Sequence, residues 1–132
     1  MHRFVAAVLV GLLLSVAWPG AASAQTTFNV ATGHEVKVSS WVSINPDCTP
    51  TGQIVMRVTQ APQHGRVSIR NAAVFPNFPS SNVRSVCNRR RVPGVEAHYR
   101  PESGYLGFDS VSLEMISPGG VYRSYTANIQ VR

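Results

Sequence analysis

Apolar residues in this chain alternate with a period of two, and clusters of proline, glycine and asparagine break the alternation at short intervals. A period of two puts successive side chains on opposite faces of an extended backbone, so each run predicts a half-buried strand. Val36, Val38, Val42 and Ile44 share one parity, with Trp41 on the other; Ile54, Met56 and Val58 alternate with Val55, Arg57 and Thr59. Val67 and Ile69 mark a short strand, followed by Val95, Ala97 and Tyr99, then by Val111, Leu113 and Met115. The last run is Val121, Arg123, Tyr125, Ala127, Ile129 and Val131. Turn chemistry falls at Asn45 to Gly52, Pro62 to Gly65, Pro93-Gly94, Pro101 to Gly107 and Pro118 to Gly120. Six or seven short strands so punctuated, with no sustained helical spacing, predict an all-β antiparallel sandwich.

Residues 1–24 stand apart from this pattern. His2 and Arg3 give a polar start, Phe4 to Trp18 is largely apolar, and Ala22-Ser23-Ala24 ends the stretch with small residues. These are the parts of a secretory signal cleaved after Ala24, and the run is shorter than the roughly 20 apolar residues a membrane span needs. Residues 25–132 are then one exported domain, periplasmic or extracellular, with no membrane span. Export makes Cys48 and Cys87, the only two cysteines, a disulfide pair. The whole chain carries 12 basic and 6 acidic residues; without Arg3 the balance is 11 to 6, a net +5, and every remaining cation except Lys37 is arginine. Guanidinium groups suit bidentate contacts to carboxylates or phosphates, although composition alone establishes no anionic partner.

Two motifs sit on the predicted turns. The stretch Tyr99 to Ser110 reads Tyr-Arg-Pro-Glu-Ser-Gly-Tyr-Leu-Gly-Phe-Asp-Ser, and Ala61 to Val67 reads Ala-Pro-Gln-His-Gly-Arg-Val. Pro101, Gly104 and Gly107 predict a tight, partly left-handed connection, with Tyr99, Tyr105 and Phe108 covering it and Asp109 accepting hydrogen bonds from the turn's amides. The first stretch resembles the strand-to-strand corner of bacterial immunoglobulin-like and cadherin-like domains, with their Tyr-x-Pro followed by Gly-Tyr-x-Gly-x-Asp-Ser. The second resembles the Pro-x-x-Gly-x-Val start of a hairpin in the same domains. The match runs from about residue 26 to the end and implies an immunoglobulin-like sandwich of about seven strands with one disulfide. Those domains usually repeat in tandem, whereas here one copy stands alone, and the segment from Asn71 to Pro93 is longer than a simple hairpin needs.

Little in the sequence carries chemistry. The cadherin-like resemblance raises calcium, but the acids remaining after residue 24 (Glu35, Asp47, Glu96, Glu102, Asp109 and Glu114) do not cluster as a calcium loop requires. His34, His64 and His98 have no zinc spacing and read as surface histidines, so neither metal nor cofactor is expected. There is no Gly-x-Ser-x-Gly elbow, Ser-x-x-Lys pair or Cys-x-x-Cys motif, and nothing fixes Glu96 and Glu102 at a glycosidase separation. The chain therefore reads as a non-enzyme, a binding or structural module whose partner is an unknown protein or an anionic envelope component. One alternative is a binder of anionic glycans or lipids through Arg84, Arg89, Arg90 and Arg91; another is a small hydrolase or enzyme inhibitor. The arginines equally suit a solvated loop, and Phe75 and Phe78 equally suit a partner contact or a lid on the core. Nucleic acid is not expected, because these aromatics do not interleave with the basic residues.

Overall fold

The computed structural model describes residues 26–132; the expected signal at 1–24 lies outside the described residues. Seven strands follow in order: β1 (Thr27–Val30), β2 (Val36–Val42), β3 (Val55–Gln60), β4 (Gly65–Val74), β5 (Val92–Pro101), β6 (Gly107–Ile116) and β7 (Tyr122–Val131). A 3-10 helix, Val83–Arg89, interrupts the connection between β4 and β5. One sheet has the order β1-β7-β6-β3 and the other β2-β5-β4, which is an immunoglobulin-like sandwich closed by a Cys48–Cys87 disulfide. Neighbouring strands are antiparallel except β1, which runs parallel to β7 from Thr27↔Asn128 to Val30↔Val131.

The core forms where the alternation of β5, β6 and β7 turns inward. Val95, Ala97 and Tyr99 face Val111, Leu113 and Met115, together with Ala127, Ile129 and Val131, and all nine are buried. Parity in the sequence thus placed the three central strands correctly, because sheet geometry allows no other outcome once one face is dry. Ile54, just before β3, and Met56 are buried while Val55 is exposed, as their alternation requires, but Val58, expected on the same face, is exposed beside the register shift between Val58 and Gln60. A smaller cluster of Ile44, Cys48, Cys87 and Val92 packs around the disulfide.

Several expectations are corrected. The parity of β2 does not run through, because a register shift between Lys37 and Ser39 sets Val36 opposite Tyr99 and Trp41 opposite Val95. The bulge brings Val38 and Trp41, of opposite parity, onto the same core, while Val42 joins the disulfide cluster. Ile44 lies beyond β2, in an isolated bridge to Pro50. Strand β4 is ten residues long and continues to Val74, so Asn71 to Val74 is paired strand. Pro93-Gly94 is likewise strand and no break. Pro93 pairs with Ala73 but lies past the last β2 partner of β5, Val42↔Gly94, so no β2 strand needs its missing N–H. Gly94 is fixed by crowding: a Cβ there would lie 2.7 Å from the Trp41 carbonyl oxygen and 3.1 Å from Val42. Val121 falls outside β7 and is exposed.

Candidate functional site

The corner between β5 and β6 proves to be scaffold. Tyr99 is fully buried, Pro101 ends β5 opposite Gly65, and Gly104 and Gly107 take φ values of +83° and +135°, the left-handed region their lack of a Cβ permits. Tyr105 stacks on His64 at 4.1 Å between ring centres and donates its hydroxyl to the Phe108 carbonyl at 2.6 Å. Phe108 does not cover the corner: its ring is 71% exposed. Asp109 accepts the amide of Ser110 at 2.9 Å, but its other backbone donors are Gln63 at 3.0 Å and His64 at 2.9 Å, in the turn between β3 and β4. The Tyr99 hydroxyl donates to it as well, at 2.8 Å. The two motifs that carry the sequence resemblance are therefore one structural unit, pinned through a single carboxylate.

That carboxylate is stabilised in its ionised form. Burial works to raise its pKa, but the Tyr99 hydroxyl and three backbone amides outweigh burial and hold it below the ordinary aspartate value. Burial, reinforced by the facing Asp109 charge, pushes the Tyr99 phenol above its ordinary range.

A different arrangement occupies the segment from Phe75 to Arg91, and the 3-10 helix organises it. Three residues per turn stack side chains at i, i+3 and i+6 in rows. The inner row is Arg84 and Cys87: Arg84 Nε donates to the Ile44 carbonyl at 2.7 Å and Cys87 is fully buried in the disulfide, while Arg90, the exposed residue that ends the helix, donates Nη2 to the Asp47 carbonyl at 3.0 Å. The outer row is Val83, Val86 and Arg89, with the valines 63% and 69% exposed and Arg89 exposed. In the third row Asn82 caps the helix by accepting the Arg84 amide, and Asn88 exchanges two 2.9 Å hydrogen bonds with the backbone of Phe78. The four arginines consequently do not converge. Arg84 and Arg90 tie the segment to the carbonyls of Ile44 and Asp47, Arg89 faces solvent, and Arg91 lies over the Phe75 ring at 5.4 Å. The two phenylalanines also divide: Phe78 packs on the disulfide cluster as a lid, while Phe75 is 57% exposed. Sequence reading named this segment but missed the exposure of Val83 and Val86, because it comes from a three-residue period in a run too short to display it.

Polar groups elsewhere are built into ion pairs. On the outer face of the β2-β5-β4 sheet His98 stands between two carboxylates, with Nε2 2.8 Å from Glu96 and Nδ1 3.2 Å from Glu35. Lys37 pairs with Glu96 and Arg70 with Glu35. The hydrogen bond from His98 lowers the pKa of Glu96, and that from Arg70 lowers the pKa of Glu35. His98 points away from the core as alternation requires, yet its side chain is only 15% exposed, so it is no plain surface histidine. His64 is likewise half-buried under Tyr105, while His34 is exposed. Among the described residues no three His, Cys, Asp or Glu side chains are grouped to hold a metal ion. Glu96 lies mid-strand and Glu102 just past the end of β5, roughly 20 Å along an extended chain, too far for paired carboxylate catalysis.

Fold and site together define a single immunoglobulin-like sandwich bearing a disulfide-stapled crossing segment with an outward apolar and arginine row. Among solved structures the chain is similar to amebosin, at 14% identity over 81% of this chain and 89% of that one, with a TM-score of 0.43. It is also similar to the cysteine protease inhibitor EhICP2 from Entamoeba histolytica, at 17% identity over 82% of this chain and 86% of that one, with a TM-score of 0.41. No protein-family model matches the sequence, and no curated protein matches it.

Proposed function

We propose that the protein is an exported, non-catalytic binding module of the bacterial immunoglobulin-like kind, and that the outer row of its 3-10 helix is where a protein partner docks. The observation that carries this reading is the exposure of Val83 and Val86 on a segment otherwise fixed in place. Apolar groups held out to water by a disulfide and several hydrogen bonds lose little freedom on binding, which is what a preorganised contact requires. The disulfide supports export, since such bonds persist in oxidising compartments. Binding of anionic glycans or lipids is the weaker reading, because Arg84 and Arg90 are each tied to a backbone carbonyl and only Arg89 and Arg91 are left without such a tie.

The test is a cross-linking pull-down from the native envelope at low and high salt, with the unaltered protein beside a Val86→Glu, Arg89→Glu variant. Both side chains are exposed, so the variant's denaturation midpoint should match that of the unaltered protein. The proposal expects one protein partner that survives high salt and is lost with the variant. Equal capture by the variant overturns it, and capture that vanishes with salt points to the anionic reading. A protease-inhibition and hydrolase screen with the same pair covers the enzyme and inhibitor alternatives.

A further inference from the structure

Four strand edges are open in this sandwich, and three carry features that discourage pairing with another chain. Strand β1 has only four residues, β2 is bulged beside Lys37, and β3 is bulged between Val58 and Gln60. Strand β4 has none of these at its far end. It pairs with β5 over ten residues without a register shift, and Asn71-Ala72-Ala73-Val74 is free of charge, proline and bulge. Among the described residues its second edge has no partner strand. Beside it lies a groove of about 580 Å³ bounded by Ile54, Asn71, Ala72, Arg91 and Val95, which continues along Met56 and Arg70 into a further 250 Å³. Two arginines and no carboxylate line the groove over its whole length.

We infer that the β4 edge at Asn71–Val74 takes up an extended acidic peptide segment of a partner protein as an added strand. The unpaired edge supplies backbone hydrogen bonds, alternate apolar side chains of the peptide enter the groove toward Ile54 and Val95, and a carboxylate meets Arg91. Charge selects this occupant over a second copy of the chain: Arg70 is already paired with Glu35, but Arg91 has no carboxylate partner among the described residues, and a β4-to-β4 pair would bring two copies of it onto one interface. This edge is a different element from the 3-10 row, so either site can fail without the other.

The test uses the disulfide-intact protein and a terminally blocked octapeptide of alternating valine and threonine ending in aspartates, with a lysine-ended counterpart. A third peptide is N-methylated at alternate positions so that it cannot complete a strand ladder. At saturation the acidic peptide should slow hydrogen exchange of the outward amides of Asn71–Val74 by about tenfold or more, and Arg91→Glu should weaken binding by about tenfold. The N-methylated peptide should not bind, a result that needs no protein variant and so is independent of folding. Val86→Glu should leave peptide binding unchanged. Equal binding of the lysine peptide, protection at the β1, β2 or β3 edge instead, absence of protection at millimolar peptide, or dimers formed through β4 without peptide would each overturn the inference.

Discussion

At the scale of single residues, Asp109 holds together parts of the chain that are 45 or more residues apart. Its carboxylate takes the amides of Gln63 and His64, the Tyr99 hydroxyl and the Ser110 amide, and of these only the Tyr99 hydroxyl has a second acceptor, the His64 carbonyl at 3.5 Å. Asp109→Ala should cost about 3 kcal/mol in a denaturant titration, the scale for stranding partly buried donors that faced a charge. Tyr99→Phe should cost about 1 kcal/mol, and the two changes together should cost less than their sum because they remove the same bond. Acid sensitivity follows from the lowered pKa. The folded carboxyl binds its proton more weakly than the unfolded one, so its contribution is complete above the ordinary value of 3.8 and is lost as pH falls through the lower folded value. Unfolding titrations from pH 6 downward should show this loss in the unaltered protein and a shallower slope in Asp109→Ala. Equal slopes would mean other carboxylates carry the acid response.

At the scale of elements, the central strand β5 explains why a Pro-Gly pair lies within a sheet. Gly94 sits where Trp41 and Val42 of β2 press against β5, and no side chain fits. Gly94→Ala should therefore destabilise by about 1–3 kcal/mol, as overpacking does, measurable as a lower midpoint with an unchanged dependence on denaturant. Strand propensity would predict the reverse, since alanine normally improves on glycine in a strand. The 3-10 helix shows how a short element can specify a surface. Its period sends Arg84 and Cys87 inward and Val83, Val86 and Arg89 outward, while Arg90, exposed just past the helix, reaches back to the Asp47 carbonyl, so adjacent arginines in the sequence have different tasks.

At the scale of the whole molecule, one covalent bond joins the turn after β2 to the segment before β5. Cys48 and Cys87 are 39 residues apart, and closing such a loop stabilises by about 4 kcal/mol through the unfolded state. For a domain this small, that is a large share of the total. Reduction, or Cys48→Ser with Cys87→Ser, should lower unfolding free energy by about that amount. Hydrogen exchange should speed first in Val83–Arg89, because Cys87 is the buried residue of that helix. Unchanged stability on reduction would show that the Ile44 and Val92 packing suffices alone.

Period-two alternation determined the sandwich and the inward faces of β5, β6 and β7, because burying one face of a strand fixes the side on which every residue lies, and the count of two cysteines in a chain read as exported determined the disulfide. The turn motif put Asp109 in the β5–β6 corner, whereas the structure has it just inside β6, paired with Ile129; the arginines lie near Cys87 by adjacency in the sequence. Tertiary contact decided the rest. The bulge that turns Trp41 to the core, the β1–β7 parallel pair and the fit of Pro93-Gly94 inside β5 all depend on neighbouring strands distant in sequence. Asp109 became a cross-link between two connections, β3–β4 and β5–β6, that each pass from one sheet to the other and so are not hairpins, and the outer row of valines became a surface only when the chain folded. Both depend on long-range contacts, whereas local periodicity reports only the faces of isolated strands.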